Sequence, residues 1–329
     1  MTHEIRRRGL LTAAAALTSG PLAATPAFAE EAWPNRPVRF LIPFPPGQAT
    51  DTMVRLLADT LSQRWPQRVV VENRAGGAGV VGTEAGLRSP ADGYTVTVST
   101  SGTIGINPSL IPNLPYDAEK DFSYITTVFT VPLVIVAGPS FAPRTTEELI
   151  AAARAAPGTI DYGSGGPGTS QHLSAEMFSA RAGIKLSHVP YRGSGPAMAD
   201  LLSGNIPLMF DSVSSALPQV QGGRIRAIAV TSPQRAPQMP DVPTIAETLP
   251  GFSAIGWAGL AVPAATPREI VARINTDVTA ILRDPAMAAR MVQLGGSPAP
   301  QSPEECTAFV LAEIAKWREA VRSAGVTTG

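Results

Sequence analysis

The sequence predicts an α/β protein with mainly parallel sheets and a chain divided into two lobes. Short runs of β-branched and apolar residues alternate with segments in which apolar residues recur at helical spacing. Several predicted helices begin with capping residues, which mark the residue at which the loop after a strand ends and the helix begins. The chain has 329 residues, of which 44% are hydrophobic and 16% charged, so it can form a buried core in each of two domains.

The predicted strands are short apolar runs bounded by turn residues. They cover residues 38–43, 68–72, 94–100, 133–137, 159–162, 206–210 and 225–230. No internal repeat of 20 to 50 residues is visible in the sequence.

The predicted helices carry apolar stripes at spacings of three and four residues, which give each helix one buried face. The stripes are Met53, Leu57 and Leu61; Ile270, Ile274 and Val278; and Val310, Ile314, Trp317 and Val321. Capping boxes are predicted for Thr145 with Glu148, Thr266 with Glu269, and Ser302 with Glu305, with Pro267 and Pro303 at the first helical position.

Two long apolar runs without helical period, residues 122–137 and 252–263, are interpreted as crossovers between the lobes. The first lobe is then predicted to combine residues 30–133 and 253–329, and the second to comprise residues 134–252. Trp257 and its small neighbours are expected at the hinge, where a few backbone dihedrals absorb lobe closure.

Residues 1–29 have the pattern of an export signal. Arg6, Arg7 and Arg8 precede an Ala/Leu-rich stretch, and residues 27–29 read Ala-Phe-Ala, a small-x-small cleavage pattern. The Arg7-Arg8 pair also fits a twin-arginine signal, and the two export routes stay open. Both lead to the periplasm, and the apolar stretch is too short to span a bilayer.

Composition excludes several classes of function. Lys and Arg together number 26, as do Asp and Glu, so the chain lacks the basic surface of a nucleic-acid binder. Cys306 is the only cysteine, which excludes an internal disulfide and a thiolate zinc site. His172 and His188 are the only histidines after the signal, and neither G-x-S-x-G nor H-E-x-x-H occurs, which argues against serine hydrolases and metallohydrolases. No metal or cofactor is expected.

A nucleotide-dependent enzyme is the alternative hypothesis, because G-x-G-x-x-G occurs twice between a predicted strand and a predicted helix. The glycines are Gly77, Gly79 and Gly82 in the first copy and Gly163, Gly165 and Gly168 in the second. The fingerprint also needs an acidic residue at the end of the next strand, and neither copy has one. Dinucleotide binding is therefore disfavoured.

Glycine-rich loops that enter helices have another use, because unpaired N–H groups at the positive end of a helix favour an anion. Loops of this type occupy residues 43–51, 163–170 and 191–196, each between a predicted strand and a predicted helix. In open α/β sheets, ligands bind beyond the carboxyl ends of the strands. A small anionic ligand is therefore expected at these loops, close to the hydroxyl groups at residues 99–101.

These motifs resemble the Bug-type periplasmic solute-binding proteins of tripartite tricarboxylate transporters. The resemblance extends through the chain after the signal, in family order. It is carried by WPNRPVRFLIPFPPGQATD (33–51), VENRAGGAG (71–79), DGYTVTVS (92–99), INPSL (106–110), LPYDAEKDF (114–122), GSGGPGTSQHLSAEMF (163–178), PYRGSGPAMADLLSGNIPLMFD (190–211), RIRAIAVTS (224–232), PDVPTIAE (240–247) and KWREAVRSAG (316–325).

The resemblance implies a type II periplasmic-binding-protein fold, in which two α/β lobes close on a carboxylate-bearing ligand without catalysis. The implied ligand-binding residues are Phe44, Gly47, Gln48 and Asp51 in the first loop, Gly166, Gly168, Thr169 and His172 at a helix start, and Ser99, Ser101, Tyr191 and Asp211 beside the cleft. The family usually has a second Gly where this chain has Gln48, so the amide of Gln48 is a candidate determinant of selectivity. Arg192 is either near the ligand or on the solvated surface.

The implied partners are a small organic acid and, transiently, membrane transporter subunits or a sensor. A monomer is expected, and neither nucleic acid nor a cofactor is implied. The acid itself stays open among dicarboxylates, tricarboxylates, amino acids and aromatic acids.

Overall fold

Two β-sheets that share one long strand organise the molecule. The computed structural model describes residues 33–47, 49–191 and 193–325. The strands are β1 (Val38–Ile42), β2 (Val69–Asn73), β3 (Thr95–Thr100), β4 (Phe122–Ala137), β5 (Asp161–Ser164), β6 (Ser187–Pro190), β7 (Leu208–Ser212), β8 (Arg226–Val230), β9 (Ile255–Pro263) and β10 (Ser297–Pro298). Gln48, Arg192 and the predicted export signal lie outside the described residues.

The helices lie between and beyond these strands. They are α1 (Ala49–Arg64), α2 (Val80–Leu87), α3 (Asn107–Leu110), α4 (Thr146–Ala155), α5 (Ser170–Ala182), α6 (Ser194–Ser203), α7 (Val213–Gln221), α8 (Ile245–Thr248), α9 (Arg268–Leu282), α10 (Pro285–Gln293) and α11 (Pro303–Ala324). A 3₁₀ turn (Gly77–Gly79) precedes α2, and a π-helical segment (Ser101–Ile106) precedes α3.

The first sheet has the strand order β2-β1-β3-β9-β4, with β10 also paired to β4, and the second continues β4-β7-β5-β6, with β8 also paired to β4. The strand β4 passes from one sheet to the other, since residues up to Pro132 pair with β9 and residues from Leu133 pair with β7. The predicted fold class, two α/β lobes joined by crossover strands, is confirmed.

Pairing is parallel within each lobe and antiparallel at the crossovers. The pairs β1/β2, β1/β3, β5/β6 and β5/β7 are parallel, as predicted from strand-helix alternation. The pairs that involve β4 or β9 are antiparallel, because the chain leaves one lobe on β4 and returns on β9. The parallel prediction therefore fails only at the crossovers. The two-residue β10 was not predicted.

The apolar stripes pack as predicted. Met53, Leu57 and Leu61 are fully buried against the first sheet, in the same core cluster as Ile274 and Val278 of α9. The helix α11 serves two cores. Val310 and Ile314 belong to a cluster with Tyr116, Tyr124 and Trp257, whereas Trp317 and Val321 pack in the cluster of Tyr162 and Phe178. The residue boundaries of the lobes stay a prediction.

Of the three predicted capping boxes, the one at Ser302 forms in full, the one at Thr145 forms only in part because the Glu148 carboxylate accepts from the Arg144 amide, and the one at Thr266 does not form. Ser302 and Glu305 make the reciprocal capping box, and the Thr145 side chain accepts from the Glu148 amide. The Thr266 prediction was wrong. Its amide donates to the Pro263 carbonyl in the turn after β9, so α9 starts one residue later than predicted and Pro267 is the N-cap. Among the described residues, no helix combines the length and apolar character needed to cross a membrane.

Candidate functional site

A cleft of about 900 Å³ lies where the two sheets meet. Its floor is apolar. Phe129, Val131 and Leu133 alternate along the crossover strand β4, and Trp257 reaches the cleft from β9. Residues two apart on a strand face the same side, so β4 presents this row of side chains to the cleft. The predicted hinge residue Trp257 thus forms part of the floor.

The first wall consists of two chain segments that begin helices. Phe44, Gly47, Thr50 and Thr52 belong to the β1–α1 connection and the first turn of α1, and Thr100, Ser101 and Gly102 begin the π-helical segment. The Thr100 hydroxyl accepts from the Thr103 amide, and the Thr103 hydroxyl accepts from the Thr100 amide, each at 3.1 Å. These caps leave the first-turn amides of Ser101 and Gly102 without an intrahelical acceptor.

The second wall is made by the starts of three helices. Thr169, Ser170 and Gln171 begin α5, Gly193 and Ser194 begin α6, and Ser212, Ser214 and Ser215 begin α7. The Thr169 side chain caps only the His172 amide, and the Ser212 side chain caps only the Ser215 amide. The first amides of these helices therefore have no intrahelical acceptor, and several of the residues that carry them line the cleft.

The electrostatics of the cleft come from dipoles. Among its described lining residues, none is Asp, Glu, Lys, Arg or His. Each helix start carries a partial positive charge of about half a unit, together with N–H donors. The cleft can therefore hold an anion by amide and hydroxyl hydrogen bonds. No cluster of three His, Cys, Asp or Glu side chains suited to a metal occurs within the described part of the chain.

The glycine loop of residues 163–170 uses most of its own amides. The Gly165 amide donates to Gln171 Oε1 at 2.7 Å, and the Gly166 amide donates to Ser164 Oγ at 3.1 Å. The Gly168 amide donates to His172 Nδ1 at 3.1 Å. These bonds hold the loop in shape, so the donors left for a ligand lie at the helix start after the loop.

Four of the predicted site residues line the cleft: Phe44, Gly47, Ser101 and Thr169. Gly166 and Gly168 lie in the glycine loop behind Thr169, with their amides occupied as described. Gly168 has a φ of +73°, and a Cβ there would come within 2.2 Å of a Leu110 methyl group, so the loop needs glycine at this position.

Asp51 ties the first loop to its lobe. Its buried carboxylate accepts from the Gly47 amide at 3.0 Å, from Asn73 Nδ2 at 2.9 Å and from Arg55 Nε at 3.0 Å. Burial raises the pKa of Asp51, but the hydrogen bonds from Arg55, Gly47 and Asn73 outweigh it, so the net shift is downward. The Gly47 N–H group already donates to Asp51. Gly47 therefore shapes the wall of the cleft rather than serving as a hydrogen-bond donor to a ligand.

The remaining predicted residues lie behind the walls. Ser99 is buried opposite Gly259 in the β3/β9 pair. The Tyr191 hydroxyl donates to Asp200 Oδ2 at 2.7 Å. Asp211 is fully buried, and its Oδ1 accepts from the Ser212 amide and from Gln171, both at 2.8 Å. Burial raises the pKa of Asp211.

His172 and His188 form a stacked pair beneath the glycine loop, with ring centroids 3.9 Å apart. His188 Nε2 lies 2.7 Å from Ser164 Oγ, and the Tyr162 ring stacks on the other face of His188. The nearest carboxylate is Glu176, 4.0 Å from His172 Nε2, and it accepts from the Tyr162 hydroxyl. The pKa of each histidine is lowered to about 4, by burial in both cases and, for His188, also by the neighbouring His172.

The histidine pair predicts that the protein loses stability as the pH falls from 6.5 to 4. In this window the unfolded histidines bind protons that the native pair does not, so the free energy of unfolding decreases. The shift corresponds to roughly 3 kcal/mol for the buried His172 and to less for His188, which is only partly buried and is therefore screened by solvent. Urea unfolding across this pH range should show a smaller decrease for His188→Phe than for the native chain. An equal pH dependence in both proteins would contradict a neutral buried pair.

Several cleft residues were not predicted from the sequence. The floor residues Phe129, Val131 and Leu133 have the sequence pattern of an ordinary buried strand. A strand that lines an apolar cleft and a strand that packs in a core cannot be told apart by this pattern. Ser212, Ser214 and Ser215 follow a predicted strand, so their hydroxyls were a usable signal. Gln171 had no signal, because its role depends on contacts with residues distant in sequence.

The two glycine motifs differ in position. Gly77 and Gly79 belong to the 3₁₀ turn before α2, and a Cβ on Gly82 would come within 2.5 Å of the Arg74 carbonyl. Gly82 therefore allows α2 to pack closely on the first sheet. In the second motif, Gly165 lines the cleft, but its amide is bonded to Gln171.

Comparison with known proteins identifies a family. Residues 53–326 match the family model described as the tripartite tricarboxylate transporter family receptor. The chain is 36% identical over 297 residues to the protein BugT of Bordetella pertussis, an alignment that covers 90% of this chain and 91% of BugT.

Solved structures agree with this family. A structure of Rpa4515 from R. palustris with adipate is 34% identical, with a TM-score of 0.79, and covers 90% of this chain and 100% of that one. MatC (Rpa3494) from Rhodopseudomonas palustris with bound malate is 29% identical, with a TM-score of 0.73, and covers 88% of this chain and 99% of that one. The similarity therefore extends over most of the chain.

Proposed function

Because the chain belongs to the tripartite tricarboxylate transporter receptor family, we propose that it captures a small carboxylate-bearing metabolite in its cleft and delivers it to a membrane transporter. The family assignment confirms the resemblance carried by the sequence motifs. Its relatives are receptors, and we propose that this chain likewise binds without catalysis.

The observation that carries the proposal is the convergence of helix starts on a cleft whose described lining residues carry no charged side chain. The starts of α5, α6 and α7 face the cleft from one wall, and α1 and the π-helical segment face it from the other. Hydrogen bonds to an ionised acceptor are roughly twice as strong as neutral ones. A carboxylate is an acceptor with two oxygens and one negative charge, and it matches this donor set.

The floor fits the hydrocarbon part of such a ligand. Phe129, Val131, Leu133 and Trp257 provide apolar contacts between the two polar walls. Rpa4515 with adipate and MatC with malate are relatives that hold dicarboxylates. A carboxylate attached to a short carbon skeleton is therefore the ligand class that we propose for this chain.

We further propose that ligand capture proceeds by closure of the lobes about the crossovers, with boundaries near residues 134 and 252. The sides of the cleft already approach each other closely. A Cβ on Gly295 would lie 2.2 Å from Cβ of Ser214, which brings the end of α10 against the start of α7. A ligand that contacts both walls favours the closed state by its differential affinity.

The proposed location is the periplasm, reached through the signal at residues 1–29 by the general or the twin-arginine route. The proposed working form is a monomer that contacts transporter subunits, or a sensor, transiently in its closed state. Neither nucleic acid nor a resident cofactor enters this proposal.

A thermal-shift panel tests the proposed function. Adipate, malate and benzoate are added separately to the purified protein, with NAD and FAD as controls for the nucleotide-enzyme hypothesis. A bound acid at 100 times its dissociation constant stabilises the native state by about 2.7 kcal/mol, which gives a measurable rise in melting temperature. Stabilisation by NAD or FAD, with no response to any acid, would contradict the proposal.

A further inference from the structure

Asp211 is a fully buried carboxyl group directly behind the second wall of the cleft. Its Oδ1 accepts from the Ser212 amide and from Gln171 Nε2, both at 2.8 Å. The hydroxyl groups of Ser194 and Ser215 also donate to this carboxyl group. All four donors belong to residues that line the cleft. Asp211 is therefore one hydrogen bond away from the surface that a ligand would contact.

Asp211 has no cationic partner within the residues that the structure describes. The elements packed against its strand β7 are β4, β5, α5, α6 and α7. Their titratable and charged residues are Tyr124 on β4, Asp161 and Tyr162 on β5, His172, Glu176 and Arg181 on α5, and Asp200 on α6, and α7 carries none. None of these side chains bonds to Asp211. Arg181 instead donates to the Pro250 carbonyl at 2.8 Å, so only neutral donors balance an ionised Asp211.

A bound acid would bring a second negative charge close to Asp211. Burial raises the pKa of Asp211 and the four donors lower it, with a net upward shift because burial outweighs them. An anion held at the starts of α5, α6 and α7 lies on the other side of those donors. Two like charges that share a site disfavour each other's ionised form, so the anion raises the pKa of Asp211 further.

We propose that Asp211 takes up a proton from solvent when an acid anion binds in the cleft, so that ligand capture is coupled to protonation of this buried carboxyl group. This inference rests on the proposed function and adds a pH dependence to it. Protonation removes the like charge behind the wall, while the carboxyl oxygens still accept hydrogen bonds from Gln171 and the Ser212 amide.

The sign of the pH dependence follows from linkage. Between the pKa of Asp211 in the unliganded protein and its higher pKa in the complex, binding takes up a proton. The affinity for the acid anion therefore falls as the pH rises through this window, by at most about tenfold per pH unit, and is constant on either side of it.

Titration calorimetry in pairs of buffers with different ionisation enthalpies counts the protons taken up. The probes are adipate, malate and benzoate, each titrated at several pH values between about 6 and 8.5, where carboxylic acids with ordinary pKa values near about 4 are ionised. The histidine pair, with each pKa lowered to about 4, stays neutral in this range. We expect the native protein to take up a substantial fraction of one proton per bound acid and to bind more weakly as the pH rises.

Asp211→Asn is the diagnostic variant, because it has nearly the same shape and no charge. Its amide oxygen can accept from the Ser212 amide and Gln171, and the Ser194 and Ser215 hydroxyls can rotate to accept from its nitrogen. We expect this variant to take up no proton, to bind with an affinity that does not depend on pH, and to bind about tenfold more tightly than the native protein at pH ~8.5.

Asp200→Asn is the matched control, since Asp200 is a carboxylate of α6 that accepts from the Tyr191 hydroxyl and does not touch Asp211. Its proton uptake should equal that of the native protein. Infrared difference spectra of the native protein cover the case in which Asp211→Asn does not fold. Addition of an acid labelled with ¹³C in its carboxyl groups should produce the C=O band of a protonated, unlabelled carboxyl group.

The outcomes separate the two proposals. Acid binding without proton uptake across the whole pH range, equal uptake in the native protein and Asp211→Asn, or acid binding without a new protonated carboxyl band would overturn the coupling while the binding function stands. Absence of binding of every acid to the native protein would overturn the proposed function and this inference together.

Discussion

Replacement of Ser170 by Asp is expected to raise the melting temperature of the unliganded protein and to abolish carboxylate binding. Ser170 is the first residue of α5 and lines the cleft. An acidic side chain at a helix start is stabilising by about 0.3–1 kcal/mol, because it meets the positive end of the helix dipole. The same charge occupies the position that we propose for the ligand carboxylate.

The loss of affinity in Ser170→Asp should be at least ~100-fold, because juxtaposed like charges cost several kcal/mol. Ser170→Asn is the matched control, since it has nearly the same shape and no charge. Differential scanning calorimetry gives the stability, and titration with adipate, malate and benzoate gives the affinity. Native affinity in the Asp variant would show that the carboxylate does not lie at the start of α5.

Replacement of Glu313 by Ala is expected to have the largest effect on stability. Glu313 is a buried residue of α11, and its Oε2 accepts from Trp257 Nε1 at 3.0 Å and from Trp317 Nε1 at 2.9 Å. Its Oε1 pairs with Lys316. Loss of the carboxylate leaves two buried indole N–H groups without an acceptor, at about 1–3 kcal/mol each. The free energy of unfolding should fall by about 3 kcal/mol or more.

Glu313→Gln is the control for this prediction, because its carbonyl oxygen still accepts from both indoles. It should lose much less stability than Glu313→Ala in urea unfolding. Since Trp257 also forms part of the cleft floor, the intrinsic fluorescence of the Ala variant should differ from that of the native protein. Equal stability of the Ala and Gln variants would mean that the indole hydrogen bonds contribute nothing measurable.

Much of the fold was predictable because local patterns agree with it. The spacing of Met53, Leu57 and Leu61 predicts a helix with one buried face. The capping residues Thr145 and Ser302 lie close in sequence to the residues that they bond. The antiparallel pairing of β4 and β9 was not predictable, since an apolar run does not reveal the direction of its neighbour. The packing of α11 in two separate core clusters was also not predictable, because its apolar stripe is continuous and does not show where one cluster ends and the other begins.

The site was predictable only as a region. The loops were found from their glycines, and Phe44, Gly47, Ser101 and Thr169 do line the cleft. The sequence could not reveal which amides are already bonded, since the bond between Gly165 and Gln171 depends on the folded loop. The hydrogen bond from Gln171 to Ser194 likewise joins residues that are distant in sequence.

A crystal structure of the protein with adipate, malate or benzoate, whichever stabilises it most, tests the central claim most directly. We expect a carboxylate of the acid within about 2.7–3.1 Å of the Ser170 amide, with its carbon skeleton over Trp257. An acid bound outside the cleft, or bound with its carboxylates turned away from α5, α6 and α7, would contradict the claim.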